Sequence, residues 1–98
     1  MRKTDKKRER DIVRALTELC EAAKFDHPGF IWLTHEVNYQ RFPQSLQVTL
    51  VFAESVSDAQ MAEQFRALLS DVQAALQPVI GISLPAAQIA ACREHRLH

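Results

Sequence analysis

Between Gly29 and Ala53 apolar and polar residues alternate in two runs, GFIWLTHEVNYQRFPQSLQVTLVFA, separated by a polar turn. Ile31, Leu33, Val37 and Tyr39 share one parity of the first run; Leu46, Val48, Leu50 and Phe52 share one parity of the second. That period of two is the mark of half-buried strands. The other parity carries Thr34, Glu36, Asn38, Gln47 and Thr49, with Phe30, Trp32, Val51 and Ala53 as its apolar members. The pattern predicts a hairpin with one oily face and one wet face. A lone hairpin is marginal in water, so flanking segments must cover the oily side.

Two segments have the spacing to do so. Ile12, Val13, Leu16, Leu19, Cys20 and Ala23 recur at intervals of three and four, which predicts a helix from a cap at Thr4 or Asp5 to about Lys24. Phe25-Asp26-His27-Pro28-Gly29 ends it, because the residue before a proline is driven out of the helical region. Met61, Phe65, Leu68, Leu69, Val72 and Leu76 mark a second helix, with Ser57 and Gln60 spaced as a capping box and Pro78 as its stop or kink. Pro43 cannot donate to a strand ladder, so the hairpin turn spans Gln40 to Ser45. Beyond Pro78, Val79-Ile80-Gly81-Ile82 and the stretch from Pro85 to Cys92 each read as either strand or helix. Alanine propensity favours helix; the need of a two-stranded sheet for a third strand favours strand. The predicted architecture is α+β, helix-strand-strand-helix-strand, with two helices packed on one face of a small sheet. The 98 residues form one domain.

Charge changes this picture at one end. The formal net charge is zero, yet residues 1–10 hold six of the twelve lysines and arginines, Arg2, Lys3, Lys6, Lys7, Arg8 and Arg10, against Asp5 and Glu9. They read as a basic N-terminal arm leading into the first helix. Residues 11–75 hold four basic and nine acidic residues, a mildly acidic body. Basic arms lend affinity for phosphate backbones and also serve as solubilising ends. Cys20 and Cys92 are too few for a disulfide scaffold. The basic start is not followed by the apolar run of a signal peptide, and no stretch approaches the ~18 apolar residues of a membrane span. The expectation is a soluble, cytoplasmic chain with no membrane partner.

Catalytic signatures are missing: the sequence has no GxSxG, HExxH or CxxC, and two glycines leave no phosphate-cradling loop. Without convergent carboxylates, the reading is a non-enzymatic protein with no catalytic residues, cofactor, metal or small-molecule substrate. His35, between Leu33 and Val37, reads as a core histidine bonded to backbone or to a tyrosine. Cys92, His95 and His98 are spaced by three but lack a fourth zinc ligand. Trp32, with Phe30 beside it on the wet face, can stack bases or bury against a second copy of the chain. Arg41 and Phe42, at the hairpin tip, are candidates for contact with a partner.

Asp26 and Gly29 before the first strand, Glu36-Val37 late in it, Leu46-Gln47-Val48-Thr49-Leu50-Val51-Phe52, and Leu84-Pro85 followed by Gln88-Ile89 resemble the ribosome-binding factor A family. The resemblance runs from residue 10 to about residue 93 and implies a variant of the type II KH fold. The GxxG loop by which KH domains clamp nucleic acid corresponds here to Ala67-Leu68-Leu69-Ser70-Asp71, with neither glycine nor a following basic residue. PGFIWLTHEVNYQRFPQSLQV also resembles small proteobacterial proteins catalogued as factor-for-inversion-stimulation regulators. Such a label implies a C-terminal helix-turn-helix, and Pro85 to His98 supplies no basic recognition helix.

These observations lead to two expectations. The first is a nucleic-acid-associated accessory protein, linked to RNA or the ribosome, with Arg2, Lys3, Lys6, Lys7, Arg8 and Arg10 facing phosphates and Trp32 as a stacking platform. The second is an interaction module that dimerises through Phe30 and Trp32 or a sheet edge and binds no nucleic acid.

Overall fold

The structure, a computed structural model of the chain, describes residues 2–94. Helix α1 (Lys3–Asp26) leads to strand β1 (Phe30–Glu36), a 3-10 turn at Tyr39–Arg41, strand β2 (Gln47–Phe52), helix α2 (Asp58–Ile80), a 3-10 turn at Ala86–Gln88 and strand β3 (Ile89–Arg93). The predicted α+β order is observed. The sheet runs β1-β2-β3, antiparallel between β1 and β2 and parallel between β2 and β3. A parallel neighbour requires a crossover, and α2 is that crossover.

Leu46, Val48, Leu50 and Phe52, the predicted inward parity of the second run, are fully buried. They meet Ile12, Leu16 and Ala23 of α1 and Leu68, Val72 and Leu76 of α2, with Leu84 and Ile89 completing the core. Both helices therefore cover the same face of the sheet, and the residues of opposite parity on β1, Trp32, Thr34 and Glu36, are exposed. The predicted α2 stripe is turned slightly. Gln64, Leu68, Val72 and Leu76 form its buried line, while Met61, Phe65 and Leu69 pack at its margins.

Phe30 departs from the expected parity. Its partner is Phe52 and that of Trp32 is Val51, so Ile31 is an extra residue on β1, a β-bulge. The bulge shifts the alternation by one, and Phe30 turns inward to 4% exposure. There its ring meets Phe52 edge to face at 5.9 Å. Trp32 stays outward.

Three boundaries also differ from expectation. The basic stretch is not a free arm: α1 begins at Lys3, with Arg2 at the N-cap and no side-chain cap, because lysine and arginine are good helix formers and the stretch is anchored to the hairpin. The connection between strands runs from Val37 to Leu46, longer than the predicted turn, and is closed by Asn38. Its Oδ1 accepts from the Gln40 amide at 3.0 Å, and its carbonyl accepts from the Ser45 hydroxyl at 2.7 Å. α2 continues through Pro78 to Ile80 and stops at Gly81, whose φ of 81° is the left-handed cap conformation glycine permits. At the other end of α2, Ser57 Oγ accepts from the Gln60 amide at 3.1 Å, as the capping pattern predicts. Of the two readings for the C-terminal stretch, the strand is observed, because pairing with β2 outweighs alanine propensity.

Candidate functional site

The basic residues of the first turns now have positions. At about 100° per residue, Lys3, Lys6, Lys7, Arg10 and Arg14 fall within a sector of roughly 100° on the side of α1 away from Ile12, Leu16 and Ala23. All five are exposed. The ion pairs among the described residues are Glu9–His35 and Arg93–Asp58, so these five cations meet no carboxylate. Lys3 and Lys6 also sit in the first turn, at the positive end of the helix macrodipole, where a cation costs stability; Arg10 and Arg14 lie beyond its reach. The acidic residues of the exposed side, Glu18 and Glu21, begin one turn beyond Arg14, and Asp11 lies at the margin of the row. The exposed side of the first half of α1 thus carries a net positive charge.

Arg8 belongs to a different cluster. Its guanidinium lies 4.8 Å from the centre of the Phe42 ring, and Phe42 stacks on Tyr39 at 5.5 Å with 29° between the planes. Phe42, expected at an exposed tip, is folded back and half-buried against the core. Arg41 beside it is exposed. Arg2, Asp5 and Arg8 of the N-terminal turns, with Tyr39 and Gln40, line a cleft of about 680 Å³.

Beneath this cluster Glu9 joins α1 to the hairpin. One carboxylate oxygen is 2.9 Å from His35 Nε2, and the other accepts from the Tyr39 hydroxyl at 2.5 Å. The Tyr39 hydrogen bond is the chief reason the Glu9 carboxyl lies below its ordinary value of 4.5; the bond to His35 lowers it further, and burial opposes both. Burial first, then the bond to Glu9, pushes the Tyr39 phenol well above its ordinary 10.0. A tyrosine held neutral in this way is a donor and a brace, not a nucleophile. His35 does sit on the inward face, but its partner is a carboxylate from α1, which the strand pattern alone does not reveal. A signal was present: Glu9 is three residues before Ile12 and seven before Leu16, on the buried stripe, where a carboxylate requires partners.

The outer face of the sheet holds Trp32, 42% exposed, with Thr34, Glu36, Gln47 and Thr49 around it. Phe30, paired with Trp32 in the sequence reading as an interface, is sealed in the core and offers nothing to a partner. Trp32 faces away from the helices, and the cations of α1 face away from the sheet. The structure therefore does not bring the expected stacking platform together with the expected phosphate contacts. Residues 67–71, which the sequence resemblance sets against the KH clamp loop, lie in the middle of α2. Cys92 is half-buried on β3; His95 and His98 lie outside the described residues.

A groove of about 360 Å³ runs between α1 and β1. Val13, Leu16 and Cys20 form its helical wall, Leu33 its floor, and Glu21 and Lys24 its rim. Glu9 near the start of α1 meets His35 near the end of β1, so the two elements run antiparallel along it. No family model, curated protein or solved structure matches this chain, and its site is defined by its own geometry.

Proposed function

We propose that this chain is a non-enzymatic accessory protein that binds the phosphate backbone of nucleic acid, RNA in the first instance, along the exposed face of the first half of α1. The observation that carries this reading is the row of five exposed cations, Lys3, Lys6, Lys7, Arg10 and Arg14, on one side of α1 with no ion-pair partner among the described residues. Their mutual repulsion is relieved by no internal carboxylate among the described residues, which favours an external anion as their purpose. From Lys3 to Arg14 the row is about 16 Å long, a distance over which a duplex carries roughly nine phosphates.

Such binding is electrostatic and indifferent to base sequence. With five phosphate contacts, the logarithm of the affinity for a mixed-sequence RNA falls with the logarithm of salt at a slope of about −3 to −4. The triple variant Lys3→Glu, Lys7→Glu, Arg10→Glu keeps the fold, since all three side chains are exposed, and removes most of that slope. An affinity that is flat in salt, or unchanged in the triple variant, rules the reading out.

A further inference from the structure

We propose that the first two turns of α1 are held helical by a clamp on the hairpin, Glu9 in the grip of His35 and Tyr39 with Arg8 laid over Phe42, and that phosphates on the cation row tighten the same turns from outside. The coupling of helix order to phosphate binding rests on the function proposed above; the clamp does not.

The sequence of these turns argues against a stable helix end. α1 starts at Lys3, but its buried residues are Ile12, Leu16 and Ala23, and none of residues 2–11 is buried. Arg2 at the N-cap makes no side-chain bond to the free amides of the first turn, and Asp5 is the one acid there. Lys3 and Lys7, Lys6 and Arg10, and Arg10 and Arg14 are each four apart, so the row repels itself turn by turn. Lysine, arginine and glutamate have good helix propensity. An end with no cap and no buried side chain still frays in water.

Three contacts oppose that fraying, and all go to the hairpin: Glu9 to His35 Nε2 at 2.9 Å, Glu9 to the Tyr39 hydroxyl at 2.5 Å, and the Arg8 guanidinium to the centre of the Phe42 ring at 4.8 Å. Tyr39 and Phe42 stack on each other, and Phe42 packs against the core. The helix end is thus fastened at residues 8 and 9 to a base that does not move with it. At about 100° per residue, Arg8 and Glu9 lie on the hairpin side of α1 and the cation row on the opposite side. A phosphate reaches the row without displacing the clamp. Only the helical form gathers the five cations along one line, so an anion that prefers this line shifts the end toward helix.

The ratio of helical to frayed end is read from the Cα carbon shifts of residues 3–10 in the whole chain. Tyr39→Phe leaves every charge in place at neutral pH and is expected to lower that ratio about fivefold, with the shifts from Ile12 to Ala23 unchanged. Adding Phe42→Leu, which keeps an apolar side chain against the core, lowers it a further two- to fivefold. Arg2→Ser in the Tyr39→Phe chain supplies the missing cap and restores about fivefold. Full helical shifts at residues 3–10 in both hairpin variants overturn the clamp, as does a loss spread evenly over α1 and α2, or a cap that restores nothing. Mixed-sequence RNA is expected to return the frayed end of Tyr39→Phe to helical shifts. RNA that binds with the salt slope given above and leaves that end frayed overturns the coupling alone. RNA that does not bind overturns the coupling together with the proposed function, while the shifts measured without RNA decide the clamp.

Discussion

A methyl group added at Gly29 would lie 2.8 Å from Val56 Cγ2 and 3.0 Å from Gln64 Oε1. Both neighbours are buried, and neither is the free end of a long exposed side chain. Gly29→Ala is expected to cost about 1–3 kcal/mol through overpacking, read as a lower urea midpoint with an unchanged slope. Glu9→Gln acts differently. It removes the charge from two hydrogen bonds at a partly exposed site and is expected to cost about 1 kcal/mol at neutral pH. It also changes the pH profile. The folded Glu9 carboxyl lies below its ordinary 4.5, so on acidification the unfolded chain takes up the proton first. The stability Glu9 contributes is complete above pH 4.5 and is lost as pH falls through the lowered folded value. Tyr39 is raised above 10.0, so its contribution is complete below pH 10 and is lost as pH climbs past that value. Thermal midpoints measured against pH should fall off on both sides in the native chain, and Glu9→Gln should flatten the acid limb.

At the scale of the element, β1 shows what alternation alone can and cannot reveal. The inward set of β2 was legible because nothing interrupts its period, and Leu46, Val48, Leu50 and Phe52 are all buried as that period demands. The placement of Phe30 was not. A bulge adds a residue to one strand only, and that becomes visible only against the partner strand. The bulge yields a sharp expectation. Deleting Ile31 makes Phe30 and Trp32 neighbours of opposite parity opposite Phe52 and Val51, the register they already hold, so the shortened chain folds with the loss of about 1–2 kcal/mol from the half-buried Ile31 side chain. Deleting Thr34 instead throws one end of the strand onto the wrong face. Circular dichroism and urea titration of the two deletions separate them: a cooperative fold for the first, none for the second. The Glu9 node was legible only in part, since its carboxylate sits on the buried stripe of α1 while its partners lie 26 and 30 residues away. The fate of Ile89 to Arg93 was undecided locally, because strand and helix readings differ by less than the ladder with β2 contributes.

The molecule as a whole is two layers deep, 41 × 32 × 23 Å along its principal axes, with cations on the outside of the helix layer and the single tryptophan on the outside of the sheet. A ligand on one surface leaves the other untouched. RNA held by α1 should therefore leave Trp32 emission and its quenching by acrylamide unchanged. Quenching of Trp32 by RNA at the salt-sensitive affinity would relocate the nucleic-acid contact to the sheet. None of the helices is long and apolar enough to cross a membrane, among the described residues.

The central strand, finally, acquires its two neighbours at very different times. β1 precedes it in the chain, but β3 is complete only at Arg93, 41 residues after Phe52. At about 5–20 residues per second on the ribosome, the interval is roughly 2–8 s. Throughout it, a nascent β2 with four apolar residues in six offers one whole side of its backbone to any passing strand, with α1 and only a half-built α2 for shelter. The hazard of misassembly is therefore greatest before the chain is finished, and slowing translation between Asp58 and Arg93 should raise the insoluble fraction more than the same delay placed anywhere earlier.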